Sequence, residues 1–157
     1  GPWQVYFDPE KGGAGEVTFD ELVDWSTHAD SRIRYYSGTA VYRGRLMVQR
    51  RDAAEKVFLR FSSLGAVARV IVNGQEAGIV WCSPWETDLT PFVREGDNEI
   101  EIEVANSLMN RMIGDAALPA EERLTYAYPE IVTPADTLVA SGIIGPVSLL
   151  YRGKEGQ

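Results

Sequence analysis

The chain has 157 residues, 45% of them hydrophobic and 24% charged, which is enough to bury one good-sized core within the usual size of a domain. Its formal charge of −8, from 23 acidic and 15 basic side chains, repels a phosphate backbone and argues against nucleic acid or an anionic membrane surface as partner. Cys82 is the only cysteine and His28 the only histidine, which excludes an intrachain disulfide and a Cys/His zinc framework, and no apolar run approaches the roughly 20 residues of a membrane helix.

Fifteen glycines and eight prolines, spread rather than clustered, divide the chain into short segments. Residues 3–7 (Trp-Gln-Val-Tyr-Phe) read as a first strand, begun without a leader pattern, as a domain excised from a longer chain would begin. Asp8-Pro9 and the glycines at 12, 13 and 15 close it. Thr18 and Glu21 have capping-box spacing, which predicts a helical turn with Leu22, Val23 and Trp25 on its apolar side. Residues 33–48 favour strands, with a break at Ser37-Gly38 and a bulge expected at Gly44. Val57, Leu59 and Phe61 alternate with polar or outward positions, and a turn follows near Gly65. Asn73-Gly74 tolerates positive φ at both central positions of a type I′ turn and predicts a hairpin. Cys82, beside Trp81 on an apparent strand, reads as a small packed residue.

Thr90-Pro91 is an N-cap and first-turn pair, expected to give one helical turn before Gly96. Ile100, Ile102 and Val104 alternate with Glu99, Glu101 and Glu103 in the cleanest amphipathic strand. Residues 106–144 break the rhythm and read as a long folded-back loop; Val147, Leu149 and Tyr151 supply a last strand. Many short strands, no alternating strand–helix units and one or two helical turns predict an all-β fold: an antiparallel β-sandwich, jelly roll first, formed by residues 1–157 as one domain.

Two sets of residues carry a resemblance. The run Val70-Ile71-Val72-Asn73-Gly74, with Gly78, Trp81, Pro84, Asp88-Leu89-Thr90, Glu95-Gly96-Asp97-Asn98 and Asn106, resembles the sugar-binding-domain pattern of glycoside hydrolase family 2, whose fold is galactose-binding-domain-like. A broader set resembles the C-terminal sandwich of bacterial family 106 α-L-rhamnosidases: Gly1-Pro2-Trp3, Phe7-Asp8, Phe19 to Trp25, Tyr35 to Tyr42, Asn110-Arg111-Met112-Ile113-Gly114-Asp115 and Ser141 to Val147. The resemblance implies a parent enzyme acting on plant or algal polysaccharide, with catalytic carboxylates on a separate barrel, and a bacterial periplasmic or extracellular setting.

Glycoside hydrolysis needs two carboxyl groups about 5 to 9.5 Å apart. No pair in the sequence stands out: Glu99, Glu101 and Glu103 read as a solvated strand face, and Glu121 and Glu122 are loop neighbours. Ser37-Gly38 and Ser141-Gly142 lack a nucleophile elbow, and His28 reads as a surface-loop histidine without an orienting partner. No catalytic residue is therefore assigned.

Sugar recognition has better candidates, because aromatic faces pack on pyranose rings while Asn, Asp and Arg bond hydroxyls in fixed directions. Trp81 and Trp85 flank Pro84, and Tyr126 and Tyr128 lie in the irregular region; filling the core or packing against the rest of a parent is the alternative use. Asn106, Asn110, Arg111 and Asp115 emerge at one end of the predicted sandwich, either shaping a sugar site or forming a buried Arg-Asp pair that pins the loop. No metal or other cofactor is assigned, although galactose-binding-like sandwiches include calcium-bearing members and Asp8, Asp88, Asp97 and Asp115 offer oxygen ligands. The expected partners are carbohydrate and the parent's barrel. Three functions compete: a non-catalytic accessory domain, an autonomous carbohydrate-binding module, and, least supported, a small self-sufficient hydrolase.

Overall fold

The computed structural model describes residues 2–126 and 131–153. Its strands are β1 (Trp3–Phe7), β2 (Gly15–Phe19), β3 (Thr39–Val48), β4 (Lys56–Gly65), β5 (Val67–Val72), β6 (Gln75–Val80), β7 (Glu86–Asp88), β8 (Gly96–Ala105) and β9 (Gly142–Arg152). They form two antiparallel sheets, one of six strands in the order β2-β1-β3-β8-β5-β6 and one of three in the order β7-β4-β9. This is the all-β sandwich that the strand pattern predicts, with two short helices, α1 (Ser31–Arg34) and α2 (Met109–Ala116).

β8 shows how the sequence sets the register. Ile100, Ile102 and Val104 point inward and are buried, and they meet Val5, Tyr42, Leu59, Val70 and Ile143 in the core. Burying each such side chain fully contributes about 1.5–3 kcal/mol, so a one-residue slip that exposed this set would cost far more than any surface contact. Of the glutamates on the outer face, Glu99 is exposed as expected, but Glu101 and Glu103 are not merely solvated. Arg43 Nε lies 2.9 Å from Glu101, Arg69 Nη1 3.0 Å from Glu103, and Arg45 Nε 2.8 Å from Asp97, in a cross-strand ladder of exposed ion pairs. Such pairs select alignment more than they stabilise.

Several local expectations are overturned. Thr18 caps no helix; it lies in β2, where its hydroxyl donates to Gln4 Oε1 at 3.0 Å, because Val17 and Phe19 are drawn into pairing with β1. The cap belongs to Asp24, whose carboxylate accepts from Ser26 N–H and starts the 3-10 turn Trp25–Thr27. Gly44 makes no bulge. Its pairing with Ile100 is in register, and the absent Cβ leaves room for the Trp3 ring, whose Cε3 would stand 2.9 Å from it. Bulges occur instead between Phe61 and Ser63 and between Val70 and Ile71. Cys82 is exposed just past the end of β6 rather than packed.

Asn73 and Gly74 adopt φ of 49° and 79° in the expected hairpin turn between β5 and β6. The Asn73 side chain also reaches Asn98, which is completely buried: Asn98 accepts from Asn73 Nδ2 and Arg94 N–H, and donates to the carbonyls of Arg94 and Gly96. That hub joins in space the Asn73-Gly74 and Gly96-Asp97-Asn98 parts of the pattern read from the sequence. The turn after Thr90 forms, with Leu89 C=O accepting from Phe92 and Val93, but the Thr90 hydroxyl accepts from Val57 N–H instead of capping it.

Residues 106–144 are more ordered than the sequence rhythm suggests. They contain α2 and the 3-10 turn Ala120–Glu122, and β9 begins at Gly142 rather than at Val147. Gly142 and Gly145, with φ of 89° and 76°, hide that early start from pattern reading.

Candidate functional site

The strand registers bring one set of chain ends together. Phe7 pairs with Ala40, Ala105 with both Thr39 and Val67, and Ala68 with Val80, so Asp8, Gly38, Asn106, Ala66 and Trp81 all leave the six-stranded sheet at the same end. α2 sits at this end, and with it most of the residues singled out for sugar recognition.

Beneath the end lies an aromatic cluster. Trp25 is fully buried, stacked on Tyr42 at 6.4 Å and edge-on to Phe7 and Tyr36. Its indole N–H donates to the Tyr42 hydroxyl at 2.6 Å. Burial pushes the Tyr42 phenol far above the usual tyrosine range, and raises Tyr36 in the same direction. Tyr36 remains hydrogen-bonded, accepting from Asp8 N–H and donating to Thr39 C=O. Phe19, at the cluster's edge, stacks on His28 at 5.8 Å, and His28 Nδ1 accepts from Asp30 N–H. His28 thus lies in a loop as expected, but it is half-buried and has the orienting partners that the sequence did not show.

Above the aromatics, Ser141 is the centre of a polar hub. Its hydroxyl accepts from Asn106 Nδ2 at 3.1 Å and Asn110 Nδ2 at 3.2 Å and donates to Val139 C=O; its N–H reaches Asp24, and its C=O accepts from Trp25 N–H. Asn106 also bridges Gly38 N–H and Tyr36 C=O, and Asn110 forms a two-way pair with the Val139 backbone. These amides are therefore engaged in tying α2 and the strand before β9 to the sandwich. Gly142 follows because its Cβ would collide with the Trp25 indole.

Arg111 and Asp115 form the buried pair weighed from the sequence. Nε stands 2.8 Å from Oδ1, a close charge contact whose N–H is not aimed as a hydrogen bond, while Oδ2 accepts from Leu124 N–H, Thr125 N–H and the Thr125 hydroxyl. Asp115 is fully buried and thereby pins the segment after the 3-10 turn to α2. Arg111 also lines a cleft of about 400 Å³ with Glu10, Lys11, Ser37, Gly38, Asn106, Leu108, Leu124 and Thr125. Sequence reading weighs Ser37 only as a nucleophile and passes over Lys11, because their approach to Arg111 is made by strand pairing and not along the chain.

The aromatic candidates do not converge on this cleft. Trp81 is 71% exposed beyond β6, and Lys11 lies beyond β1, four strands away in the sheet or about 19 Å at the usual strand spacing. Trp85 is half-buried against the core, and its C=O accepts from Phe61 N–H. Tyr126 is fully exposed, and Tyr128 lies outside the described residues. The four aspartates considered for calcium are dispersed: Asp8 holds Glu10 N–H, Asp88 holds Thr90 N–H, and Asp97 and Asp115 face Arg45 and Arg111. Among the described residues, no group of three or more His, Cys, Asp or Glu side chains gathers as a metal site.

Comparison with known proteins agrees with this geometry. Residues 13–153 match the family described as glycosyl hydrolases family 2, sugar binding domain. A provisionally named beta-glucuronidase of Formosa agariphila is 32% identical over 95% of this chain, which spans only 15% of that relative. The solved rhamnosidase of Novosphingobium sp. PP1Y superposes on 97% of the chain with a TM-score of 0.88 and 33% identity, using 14% of its own length. A Ruminococcus gnavus beta-glucuronidase shares the fold at a TM-score of 0.54 over 68% of the chain, at 22% identity.

Proposed function

The chain belongs to the sugar-binding-domain family of glycosyl hydrolase family 2, and we propose that it serves as a non-catalytic sandwich domain of a larger, α-L-rhamnosidase-like glycoside hydrolase acting on plant or algal polysaccharide outside the bacterial cytoplasm. The observation that carries this reading is the match to a rhamnosidase over 97% of this chain but 14% of that one, the proportion of one domain in a long enzyme.

The surface supports it. Among the described residues, half of the exposed large apolar side chains come from the segment that includes α2 and the loop after it: Leu108, Met109, Leu124, Tyr126, Ile131 and Val139. Apolar side chains concentrated in this one segment suit a face that a neighbouring domain covers around the cleft lined by Leu108 and Leu124. Three carboxylates of β8, Asp97, Glu101 and Glu103, are meanwhile occupied by arginines across the strands, an arrangement for alignment and not for proton transfer.

The test is an assay of the purified chain with aryl α-L-rhamnoside and aryl β-D-glucuronide. No hydrolysis by a folded chain is expected, and turnover abolished by a single Asp or Glu substitution would overturn the reading. A second reading, an autonomous carbohydrate-binding module, is favoured by the exposure of Trp81 at an end that also displays polar side chains. Saturable calorimetric binding of L-rhamnose or D-galactose that Trp81→Ala removes would establish it.

A further inference from the structure

Arg111 enters the fold from α2 with its side chain 11% exposed and its Nε turned to Asp115. Asp115 directs its second oxygen away into the loop, toward Leu124 and Thr125. The guanidinium's two terminal nitrogens have no acceptor on the protein among the described residues. Of the guanidinium nitrogens only Nε is sealed from solvent without a hydrogen bond, so the two terminal nitrogens are open to water, and the side from which a ligand oxygen could replace that water is the cleft that Arg111 lines.

The rest of the cleft continues the theme. Lys11 is exposed on its rim, its side chain makes no hydrogen bond or ion pair among the described residues, and its stem lies along Gly38, where a Cβ would stand 3.3 Å from Lys11 Cδ. Ser37 Oγ accepts from Arg111 N–H, which leaves its own hydrogen free to donate. Leu108 and Leu124 supply apolar walls, and Glu10, the acidic residue of the lining, is exposed and offers an acceptor to a hydroxyl. A volume of about 400 Å³ lies at the small end of ligand pockets and suits a monosaccharide unit.

We propose that this cleft binds the carboxylate of an acidic sugar, a uronate, with Arg111 presenting its forked N–H donors, Lys11 the second cation, and Leu108 and Leu124 the contact to the ring. Arginine suits this role because its planar fork matches the two oxygens of a carboxylate. The proposal deepens the second reading, carbohydrate binding by this chain, and rests on it.

The experiment is a calorimetric titration of the chain at low salt with D-glucuronate, D-galacturonate, D-glucose, D-galactose and acetate, repeated with Lys11→Gln and Arg111→Gln after a check of folding by circular dichroism. A uronate should bind about tenfold or more tightly than its neutral counterpart and than acetate, as one charged hydrogen-bonded contact provides. Lys11→Gln, which disturbs no contact of the fold, should narrow that preference several-fold and keeps the test decisive if Arg111→Gln fails to fold. Equal binding of neutral and acidic sugars, indifferent to Lys11→Gln, overturns the carboxylate inference and leaves sugar binding standing. Uronate no tighter than acetate also overturns it, as a bare anion site. No saturable binding of any sugar overturns the inference together with the sugar-binding reading beneath it.

Discussion

Replacing Asp115 by Asn tests whether the Arg111 pair holds the α2 end together. The amide oxygen can take over the three bonds that Oδ2 now accepts from Leu124 and Thr125, so the substitution removes the charge and turns an N–H2 group toward Arg111 in place of Oδ1. Breaking a fully buried pair by removing one partner costs about 3–5 kcal/mol, because the other charge is left uncompensated. Here Asp115 is sealed but Arg111 keeps an edge on the cleft, where water can screen it, which places the expected loss near the lower bound, at about 3 kcal/mol. For a chain of this size that corresponds to a fall in melting temperature of roughly 6–12 °C. Urea unfolding followed by tryptophan fluorescence should show a lower midpoint with an unchanged slope. The double variant Arg111→Met with Asp115→Asn should recover much of the loss, since no charge is then left buried and the amide oxygen still accepts from Leu124 and Thr125. A single Asp115→Asn variant within about 0.5 kcal/mol of the wild type would refute the argument, and would mean that the guanidinium is already satisfied by water in the cleft.

Gly142→Ala should destabilise by about 2–5 kcal/mol in chemical denaturation, since the residue has φ of 89° and the new methyl would collide with the buried Trp25 indole. Trp81→Ala, at an exposed position, should leave the unfolding midpoint within about 0.5 kcal/mol of the wild type, so any binding it abolishes is a surface effect. Glu86 is held below the usual carboxylate range by hydrogen bonds from Arg152 first and then Arg60. Its folded value is depressed, so its contribution is present above the ordinary glutamate pKa of about 4.3 and lost as pH falls through the lower folded value. A Glu86→Gln variant should show a flatter loss of stability below that pH in acid titrations of the melting temperature.

The strands were legible where local chemistry and tertiary contacts agree. Ile100, Ile102 and Val104 alternate because one face is buried, and Asn73-Gly74 makes its turn because those two residues tolerate positive φ. Legibility failed where a residue has two uses and a distant partner decides between them. Thr18 has the chemistry of a cap, but Val5 and Val17 pair across β1 and β2 and take it into a strand. Gly44 has the freedom of a bulge, but what it provides is space for Trp3, a residue 41 positions away in sequence and a neighbour in the sheet.

The candidate site divides on the same line. Asn106, Asn110, Arg111 and Asp115 were recognisable as a cluster because they follow one another along the chain, yet side-chain type alone left open whether they face a ligand or the protein. The deciding partners are remote: Ser141 collects both amides, and Leu124 and Thr125 take the carboxylate. With those groups facing inward, what remains directed outward is the far side of Arg111 and the ammonium of Lys11, separated by 100 residues and brought together by the pairing of β1 with β3 and of β3 with β8. A polar run in sequence thus becomes the scaffold, and part of the surface chemistry comes from a residue outside that run. Ligand contacts in such a sandwich end are better sought among side chains whose donors the fold leaves unmatched than among those that are merely polar and adjacent.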